Sequence, residues 1–362
     1  MSVRKSASDT LEDASSQGWR NALCGDAHDD AYDWLCQART NAGPSADVWD
    51  LRRNWKVQKA LIRQELSSGQ FRFGLLRRIE KNDGGEIELW SARDALVLKA
   101  LSIVLSRHLP SSPRCTYLKN HGGAKEAVRQ VQRNLGANGF VLRTDVKSYY
   151  ASIGHVQLME RLARFVPSRI ILNLCGQYLK RTAEMAGWFY SPDRGISLGC
   201  PLSPLMGAFF LLELDNRMAA SGLFYVRFMD DILILSPTRS KLRSAVRTVN
   251  AVLAGLGLEK HPDKTFIGRI TRGFDFLGYH FGIGALTVAD ATIERFVAHA
   301  ILLYEQGRME RIKAPLLGMY VRRWRGWAKA GVHGLGDDCS ASLATSISTA
   351  LSRAPKTGRE VA

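Results

Sequence analysis

The stretch of sequence that decides the fold is LFYVRFMDDILIL, which runs from Leu223 to Leu235. Two apolar runs flank the residues Phe228-Met229-Asp230-Asp231, and this pattern predicts a tight β-hairpin with two carboxylates at its tip. Adjacent carboxylates on a rigid turn repel each other, and a divalent cation would relieve that repulsion. Because an acidic pair is also common in ordinary turns, a metal site needs a further ligand elsewhere in the chain.

A third carboxylate, Asp145, stands at the end of another predicted strand. Residues Gly139 to Val146 alternate in character and begin at a glycine. If this strand and the hairpin are neighbours in one sheet, three carboxylates meet at one edge. Carboxylate oxygens suit Mg²⁺, and two such ions about 3.5–4 Å apart support phosphoryl transfer. Taken alone, Asp145 is equally compatible with a helix N-cap or a turn.

The rest of the chain predicts alternating helices and strands. Near the N-terminus, Asp47 and Ser91 are predicted N-caps of helices that end at Leu66 and Leu109. Other predicted elements are a short helix over Ala31–Ala38, a helix from His155, a helix opened by Ser203-Pro204 toward Met218, a helix over Lys241–Leu256, a strand pair over Phe274–Phe281, and helices from Thr292. This order predicts an α+β core followed by a helical part.

Composition favours a large soluble protein that meets a polyanion. The chain has 362 residues, of which 46% are hydrophobic, and its 50 Lys and Arg exceed its 34 Asp and Glu to give a net charge of +16. Nucleic acid is the commonest partner of such a basic protein, and a surface tuned for solubility is the alternative.

The cysteines and apolar runs indicate a cytoplasmic location. Six cysteines occur without a C-x-x-C pair or zinc-like spacing, which favours reduced thiols. We find no signal peptide in the first residues, and the longest apolar run, near Gly207–Leu214, is too short to span a bilayer. The sequence therefore predicts no membrane partner.

Five segments resemble, in the same order, the motifs of bacterial reverse transcriptases. They are Phe140–Ile153 (FVLRTDVKSYYASI), Arg194–Leu205 (RGISLGCPLSPL), Phe228–Asp231 (FMDD), Gly257-Leu258 with Lys264-Thr265, and Phe276–Tyr279 (FLGY). The resemblance covers roughly residues 75 to 330 and is nearest to the enzymes of group II introns, retrons and phage-defence systems. It implies an RNA-directed DNA polymerase that extends a primer 3′-hydroxyl with dNTPs by two-metal phosphoryl transfer.

The same resemblance implies a right-hand polymerase fold with fingers, a palm of antiparallel sheet plus helices, and a helical thumb. The expected divisions are a mobile N-terminal extension (1–46), N-terminal helices and fingers (47–139), palm (140–285, with a finger insertion at about 155–193), helical thumb (286–335) and a polar C-terminal tail (336–362). The expected cofactor is a pair of Mg²⁺ ions, for which Mn²⁺ can substitute. The expected partners are an RNA template, a DNA or RNA primer and dNTPs, with a cognate structured non-coding RNA as a further candidate.

Roles for single residues follow from the matched motifs. The resemblance implies that Asp145 and Asp230 bind the metals with support from Asp231, and that the main-chain carbonyl of Val146 is a further ligand. Lys264 matches the lysine that neutralises or protonates the departing pyrophosphate, and a solvated surface lysine is the alternative.

Four further residues are expected at the nucleotide. Tyr150 lies five residues after Asp145, where the family places an aromatic ring under the deoxyribose, and a core tyrosine is the alternative. Leu198 and Gly199 lie in the glycine-rich motif, and Arg93 is expected to hold the triphosphate unless it is an ordinary helix-surface arginine. The family usually has Pro-Gln where this chain has Ser197-Leu198, which predicts weaker nucleotide affinity or relaxed base selection.

A basic segment from Arg311 to Lys329 resembles a thumb. It contains six basic residues and no acid, and helical spacing places Tyr320, Trp324 and Trp327 on one stripe. Contacts with a template–primer duplex would be made by the residues Arg322, Arg323, Arg325 and Trp324, through shape rather than sequence. The alternative is that the aromatic rings belong to the core and the arginines are solvated.

Two other functions remain open at this point. One is an RNA-binding, maturase-like splicing factor, against which the intact aspartates argue. The other is untemplated or protein-primed DNA synthesis in phage defence. The sequence does not separate a mobile element from a defence system.

Overall fold

The computed structural model describes residues 17–80, 86–185, 187–282, 286–309 and 314–331. The chain divides into two compact units. Unit 1 comprises Met1–Pro113, Val146–Asn216 and Val249–Lys260, and unit 2 comprises Arg114–Asp145, Arg217–Thr248 and His261–Ala362. The predicted polar tail over 336–362 lies outside the described residues.

Helices and strands alternate along the described chain, as the predicted mixture of helices and sheets requires. In order they are α1 (Asp26–Ala38), α2 (Asp47–Arg53), α3 (Trp55–Ser68), β1 (Leu76–Glu80), β2 (Glu86–Leu89), α4 (Ala92–His108), α5 (Gly123–Asn134), β3 (Phe140–Thr144), α6 (Tyr149–Ser152), α7 (His155–Ala163), α8 (Arg169–Leu179), β4 (Ala183–Met185), β5 (Trp188–Tyr190), α9 (Ser203–Phe210), α10 (Leu212–Ala220), β6 (Phe224–Phe228), β7 (Asp231–Ser236), α11 (Arg239–Gly255), β8 (Phe266–Arg269), β9 (Phe274–Phe276), β10 (Tyr279–Phe281), β11 (Leu286–Val288), α12 (Asp290–Met309) and α13 (Ala314–Gly331).

Unit 2 is built on a four-stranded antiparallel sheet with the order β6-β7-β3-β8. The strands β6 and β7 form the predicted hairpin, and β3 pairs with β7 so that Thr144 faces Ile232. One residue beyond that pair, Asp145 follows β3 and lies beside Asp231, the first residue of β7. The condition set by the sequence, that the two acidic strands are neighbours, is therefore met.

The core of unit 2 joins this sheet to the helices around it. Val141, Val226, Leu233 and Leu235 are fully buried and belong to one hydrophobic cluster with residues of α5. Burial of each such side chain contributes about 1.5–3 kcal/mol. The same cluster includes the small sheet β11-β10-β9 and residues of α12 and α13, so the C-terminal helices are anchored on the core.

Unit 1 contains a second four-stranded sheet, with the order β2-β1-β4-β5, and a group of helices. The central helix α4 is buried along most of its length, with Leu96, Leu98 and Leu101 fully inaccessible. Its start is as predicted, because the Ser91 side chain accepts a hydrogen bond from the Asp94 amide at 3.0 Å.

Several predicted boundaries need correction. The helix expected to begin at Ala31 begins at Asp26, and its buried face makes this part of the expected mobile extension a packed element. The single helix predicted from Asp47 is broken at Asn54 into α2 and α3. The N-cap of α2 is Ala46 and not Asp47 as predicted. The Asp47 carboxylate instead accepts a hydrogen bond from the Ala92 amide at 2.5 Å.

The helix that opens at Ser203 also differs from its prediction. It begins with Pro in its first turn, as predicted, but ends at Phe210, and a separate helix follows to Ala220.

In the part of the chain that the structure describes, no helix combines the length and apolar character needed to cross a bilayer.

Candidate active site

Three carboxylates lie at one edge of the unit 2 sheet. Asp145 follows the last residue of β3, and Asp230 and Asp231 form the turn and the first residue of β7. Asp145 is buried, and the other two are partly buried. The neighbouring strands β3 and β7 are therefore what bring these side chains together.

The acidic turn is short and conformationally restricted. Phe228 pairs with Asp231, so only Met229 and Asp230 connect the two strands. Met229 has a φ of 55°, a left-handed conformation that costs a non-glycine residue about 1–3 kcal/mol. The fully buried Arg227 donates from Nη1 to the Met229 carbonyl at 2.7 Å, which stabilises the turn in this conformation.

Burial and mutual repulsion raise the proton affinity of two of these acids. Burial, followed by a hydrogen bond and the charge of Asp145, raises the pKa of Asp230 to about 7. Burial and the Asp145 charge also raise the pKa of Asp231 to about 6, against the lowering influence of Arg143 and Lys264. The site therefore concentrates negative charge that needs a cation to balance it.

Lys264 provides part of that balance. Its Nζ lies 2.6 Å from Oδ2 of Asp145, and this hydrogen bond raises the pKa of the lysine. The loop that carries it is tied to β3, because the His261 amide donates to the Asp145 carbonyl at 2.7 Å and the Thr265 hydroxyl lies 2.8 Å from that of Thr144. The Lys264 side chain is half exposed to solvent.

The donor chemistry of this edge fits divalent cations, although the side chains are not arranged around one. Asp145, Asp230 and Asp231 offer only carboxylate oxygens, which are the ligands that Mg²⁺ prefers. Among the residues that the structure describes, no group of three or more His, Cys, Asp or Glu side chains is positioned to hold a metal ion. The Lys264 ammonium contacts Oδ2 of Asp145, an oxygen that such an ion would need.

Tyr150 and its surroundings belong to unit 1. Tyr150 lies in the short helix α6, and its carbonyl accepts a hydrogen bond from the Ile196 amide at 2.8 Å. A Cβ atom at Gly207 would lie 3.0 Å from Cε1 of the Tyr150 ring. The glycine therefore lets the tyrosine ring pack closely on α9.

The glycine-rich loop is held by buried polar contacts within unit 1. Gly195 has a φ of 89°, and a Cβ atom there would lie 2.9 Å from the Ala151 carbonyl oxygen. Arg181 donates to the Gly195 carbonyl at 3.1 Å while its Nε forms a buried ion pair with Glu88 at 2.6 Å. This network fixes the loop that carries the predicted nucleotide residues.

Ser197 and Leu198, which replace the usual Pro-Gln of the glycine-rich loop, differ in their exposure to solvent. The Ser197 hydroxyl is buried and accepts a hydrogen bond from Nε1 of Trp90 at 2.9 Å. Leu198 is 49% exposed, and Gly199 has a φ of 87°. Ser197 is therefore a structural residue, whereas the Leu198 side chain is accessible.

Arg93 is engaged in a different contact from the predicted one. Its guanidinium pairs with the Glu65 carboxylate and lies 4.7 Å from the centroid of the Phe71 ring. In this structure the side chain therefore stabilises the packing of α3 and α4.

The predicted thumb residues divide into two groups. Arg322, Arg323 and Arg325 on α13 are exposed. The Trp324 ring stacks on Phe296 with a centroid distance of 4.0 Å and is partly buried against the core cluster. The expected stripe exists, but its aromatic rings pack inward and its arginines face solvent. The basic residues between 310 and 313 lie outside the described part of the chain.

The sequence interpretation missed two arginines that shape the acidic edge. Among the described residues, Arg227 is the largest fully buried side chain. Arg143 donates to the Lys264 carbonyl at 3.2 Å, and its charge lowers the pKa of Asp231. The sequence contained a signal for them, because the apolar strands β3 and β6 each include one arginine. It was missed because a charged residue in a strand is normally assigned to solvent.

A missed surface also lies in unit 1, on the edge strand β5. Trp188, Phe189 and Tyr190 are three consecutive aromatic residues, and all three are exposed. The run of aromatic letters was visible in the sequence, but an apolar run favours burial as the first interpretation.

Comparison with known proteins identifies the family. Residues 90–281, more than half of the chain, match the family described as Reverse transcriptase (RNA-dependent DNA polymerase). The chain is also similar to the COX1/OXI3 intron 1 protein of Saccharomyces cerevisiae, at 21% identity over 287 residues. That similarity covers 62% of this chain and 34% of the yeast protein, so the chain spans about a third of its relative's length. The chain therefore belongs to the reverse transcriptase family.

Proposed function

We propose that the three carboxylates at the edge of the unit 2 sheet are the catalytic centre for extension of a primer 3′-hydroxyl with dNTPs on an RNA template. The observation that carries this proposal is the pairing of β3 with β7, which brings Asp145 beside the Asp230-Asp231 turn. The raised pKa values of Asp230 and Asp231 support it, because such shifts concentrate at functional sites.

Each residue of this edge has a distinct part in the proposed reaction. Two Mg²⁺ ions, or Mn²⁺ in their place, would activate the attacking hydroxyl and stabilise charge on the leaving pyrophosphate. Asp145 and Asp230 would hold them with support from Asp231 and the Val146 carbonyl. Lys264 would release Asp145 and donate a proton or neutralising charge to the pyrophosphate.

We assign the polymerase subdomains along the chain as the sequence suggests: fingers in 47–139 with the insertion at about 155–193, palm in 140–285 and thumb in 286–335. The unit 2 sheet would be the palm sheet. Arg93 would need to leave Glu65 to reach a triphosphate, and Leu198 would contact the nucleotide without a hydrogen bond. A mobile-element setting is favoured over phage defence, because the yeast relative is named for an intron.

Primer extension by the purified chain tests the proposed function. The substrate is poly(rA) annealed to oligo(dT), with dTTP as the nucleotide. We expect extension that requires Mg²⁺ and stops when EDTA is added. Oligo(dT) supplied alone separates templated from untemplated synthesis. Equal extension without poly(rA) would contradict the proposal and favour untemplated synthesis.

Replacement of Tyr150 tests the choice of sugar. If its ring excludes a 2′-hydroxyl, Tyr150→Ala raises the use of rNTPs relative to dNTPs by about tenfold or more, the lower end of the range for discrimination of one small group by shape. Tyr150→Phe keeps the ring on Gly207 and is expected to keep the parental ratio. Single-nucleotide insertion with rNTPs and with dNTPs gives the ratio. An unchanged ratio in Tyr150→Ala would mean that Tyr150 is a core residue and does not select the sugar.

Replacement of the exposed α13 arginines tests the thumb. The triple variant Arg322→Gln, Arg323→Gln, Arg325→Gln is expected to bind a template–primer duplex more weakly. Each lost phosphate contact lowers the slope of log affinity against log salt by about 0.9. The matched control is Arg52→Gln, Arg53→Gln, Lys56→Gln, which removes three exposed charges from α2 and α3. Equal slopes in the two variants would mean that the α13 arginines do not contact the duplex.

A second candidate function is RNA binding in intron splicing. The similarity to a protein named for an intron favours this function. RNA binding for splicing would use the same basic surface as polymerisation. The two functions separate at Asp230, because a splicing role rests on RNA contacts and not on the carboxylates. Splicing that survives Asp230→Asn, in a chain without primer extension, would favour this candidate.

A further inference from the structure

A groove in unit 2 is lined by eleven residues, of which five are arginines. Its volume is about 840 Å³, and its walls come from α11 and from the segment that includes β8. The lining arginines are Arg239, Arg243, Arg247, Arg269 and Arg272. The volume is near the upper end of the range for small-molecule sites, about 300–1,000 Å³, but the cationic lining differs from the apolar lining of such sites.

The charge of this groove is not balanced locally. None of its arginines forms an ion pair with a carboxylate in the described parts of the chain, and all five are exposed. The sequence contains no Asp or Glu from Pro237 to Leu258 or from Lys264 to Phe274. The groove is therefore a concentrated positive field that favours an anionic ligand.

The arginines of α11 are spaced as a row. Arg239, Arg243 and Arg247 follow one another at intervals of four residues, which places them on the same face of the helix. The rise of an α-helix puts about 6 Å between neighbours and about 12 Å between the ends of the row. A single small anion is too short to contact all three arginines, whereas a nucleic-acid strand has phosphates repeated along its length that can contact each of them.

The floor of the groove is apolar and accessible. Ile267 on β8 is 49% exposed, and Val246 on α11 is partly buried beside the arginine row. Arg269 lies over the Phe140 ring with its Cζ 5.8 Å from the centroid. An apolar floor between cationic walls suits a sugar–phosphate backbone, whose sugars and phosphates differ in polarity.

The groove lies away from the three carboxylates. Phe140 begins β3 on the groove side, whereas Asp145 follows the other end of that strand. Five residues of extended strand separate Phe140 from Asp145 by about 17 Å, and the lining residue Ile267 pairs with Leu142, about 10 Å from Asp145 along the strand. A strand bound in the groove therefore occupies a different end of the unit 2 sheet from the proposed catalytic centre.

We propose that this groove binds the phosphodiester backbone of a nucleic-acid strand outside the catalytic centre. The contacts would be sequence-independent, since arginines that meet phosphates position a strand without reading its bases. The groove would hold an RNA strand, because an RNA template is the polyanion that the proposed function supplies. Only the identity of that strand rests on the proposed function, because the binding itself needs neither metal nor dNTP.

A pair of double variants tests the groove. The groove variant is Arg243→Gln, Arg247→Gln, and the control is Arg129→Gln, Arg133→Gln on α5. Both remove two arginines four residues apart on one helix of unit 2, but the control arginines already pair with Glu126. The probes are a fluorescein-labelled RNA hairpin and a DNA hairpin of the same sequence, measured by anisotropy in EDTA without dNTPs.

We expect the groove variant to bind a hairpin at least about tenfold more weakly, since each lost contact is a charge-assisted hydrogen bond. Its log–log salt slope should fall by about 1.4–1.8, which is two phosphate contacts at 0.7–0.9 each. The control variant should keep the parental slope, and Arg243→Lys, Arg247→Lys should retain most of it. Tighter binding of the RNA hairpin than of the DNA hairpin by the parent would support RNA as the occupant, and tighter binding of the DNA hairpin would contradict it.

Two results would overturn the proposal. If the groove variant keeps the parental hairpin affinity and salt slope, the arginines do not bind nucleic acid, and an acidic protein becomes the better candidate partner. Equal losses in the groove and control variants would show a general effect of net charge. Extension of a short RNA–DNA hybrid at saturating concentration is expected to proceed at the parental rate in the groove variant, so loss of hairpin binding is separable from loss of polymerase activity.

Discussion

Asp230→Asn is expected to lower primer extension by about 10³-fold or more, because in the proposed mechanism Asp230 would bind a metal ion, and its loss would remove several kcal/mol of transition-state stabilisation. The amide has almost the same shape as the carboxylate but carries no charge. RNA binding should change little, since it rests on arginines and lysines. The rate is measured on poly(rA)/oligo(dT) with dTTP at saturating enzyme.

The stability of the same variant separates lost chemistry from lost folding. The folded pKa of Asp230 is about 7, against an ordinary value of 3.8, so the ionised carboxylate destabilises the fold of the metal-free protein. Asp230→Asn should therefore raise Tm in EDTA at pH above about 7. The gain should shrink as pH falls from 7 and vanish below 3.8, where the acid is protonated in both the folded and unfolded states.

A matched control for Asp230→Asn is available on the Lys264 loop. Asp263→Asn makes the same substitution at an exposed acid of unit 2. It should keep the parental rate and show no comparable gain in Tm. A parental rate in Asp230→Asn would rule out the proposed catalytic centre, and a lower Tm at neutral pH would rule out the electrostatic account of that centre.

The part of this site that the sequence predicts is the part made by local pattern. Alternation around Phe228–Asp231 gives the hairpin, and the strand that ends at Thr144 places Asp145. The mixture of helices and sheets follows from the same periodicities. These predictions succeed because a strand with one buried face fixes its register through its own residues.

The part that the sequence does not predict depends on contacts between distant segments. The Trp324 ring packs on Phe296, so the face of an amphipathic helix was decided by a neighbour that periodicity does not identify. The arginine groove joins α11 to the segment around β8, and neither segment alone indicates a groove. The second half of α1 was predicted as a helix, but its packing was not, because its four aspartates suggest solvent although its apolar positions recur at helical spacing.

Lys264 offers the second large effect, and its position allows two roles to be separated. Its ammonium lies 2.6 Å from Oδ2 of Asp145, where it neutralises an oxygen that a metal ion would need. It is also the residue proposed to donate a proton to pyrophosphate. The first role concerns the affinity for Mg²⁺, and the second concerns kcat.

Two substitutions of Lys264 divide these roles. Lys264→Met should lower kcat by about 10²–10⁴-fold, the usual contribution of a general acid. It should also lower the Mg²⁺ concentration needed for half-maximal activity, because nothing competes for Asp145. Lys264→Arg keeps the competing charge, yet a guanidinium does not release a proton in proteins. It should therefore lose kcat while the Mg²⁺ requirement stays near that of the parent.

Titration of the extension rate with Mg²⁺ at saturating dNTP measures both quantities in each variant. A parental kcat in Lys264→Arg would show that the residue acts as a charge and not as a proton donor. An unchanged Mg²⁺ requirement in Lys264→Met would show that the ion pair with Asp145 opens without cost when the metal binds. Since Lys264 is half exposed and anchored through the neighbouring Thr265, these substitutions should leave the fold of unit 2 intact. The two parameters thus report on the chemistry of the acidic edge itself.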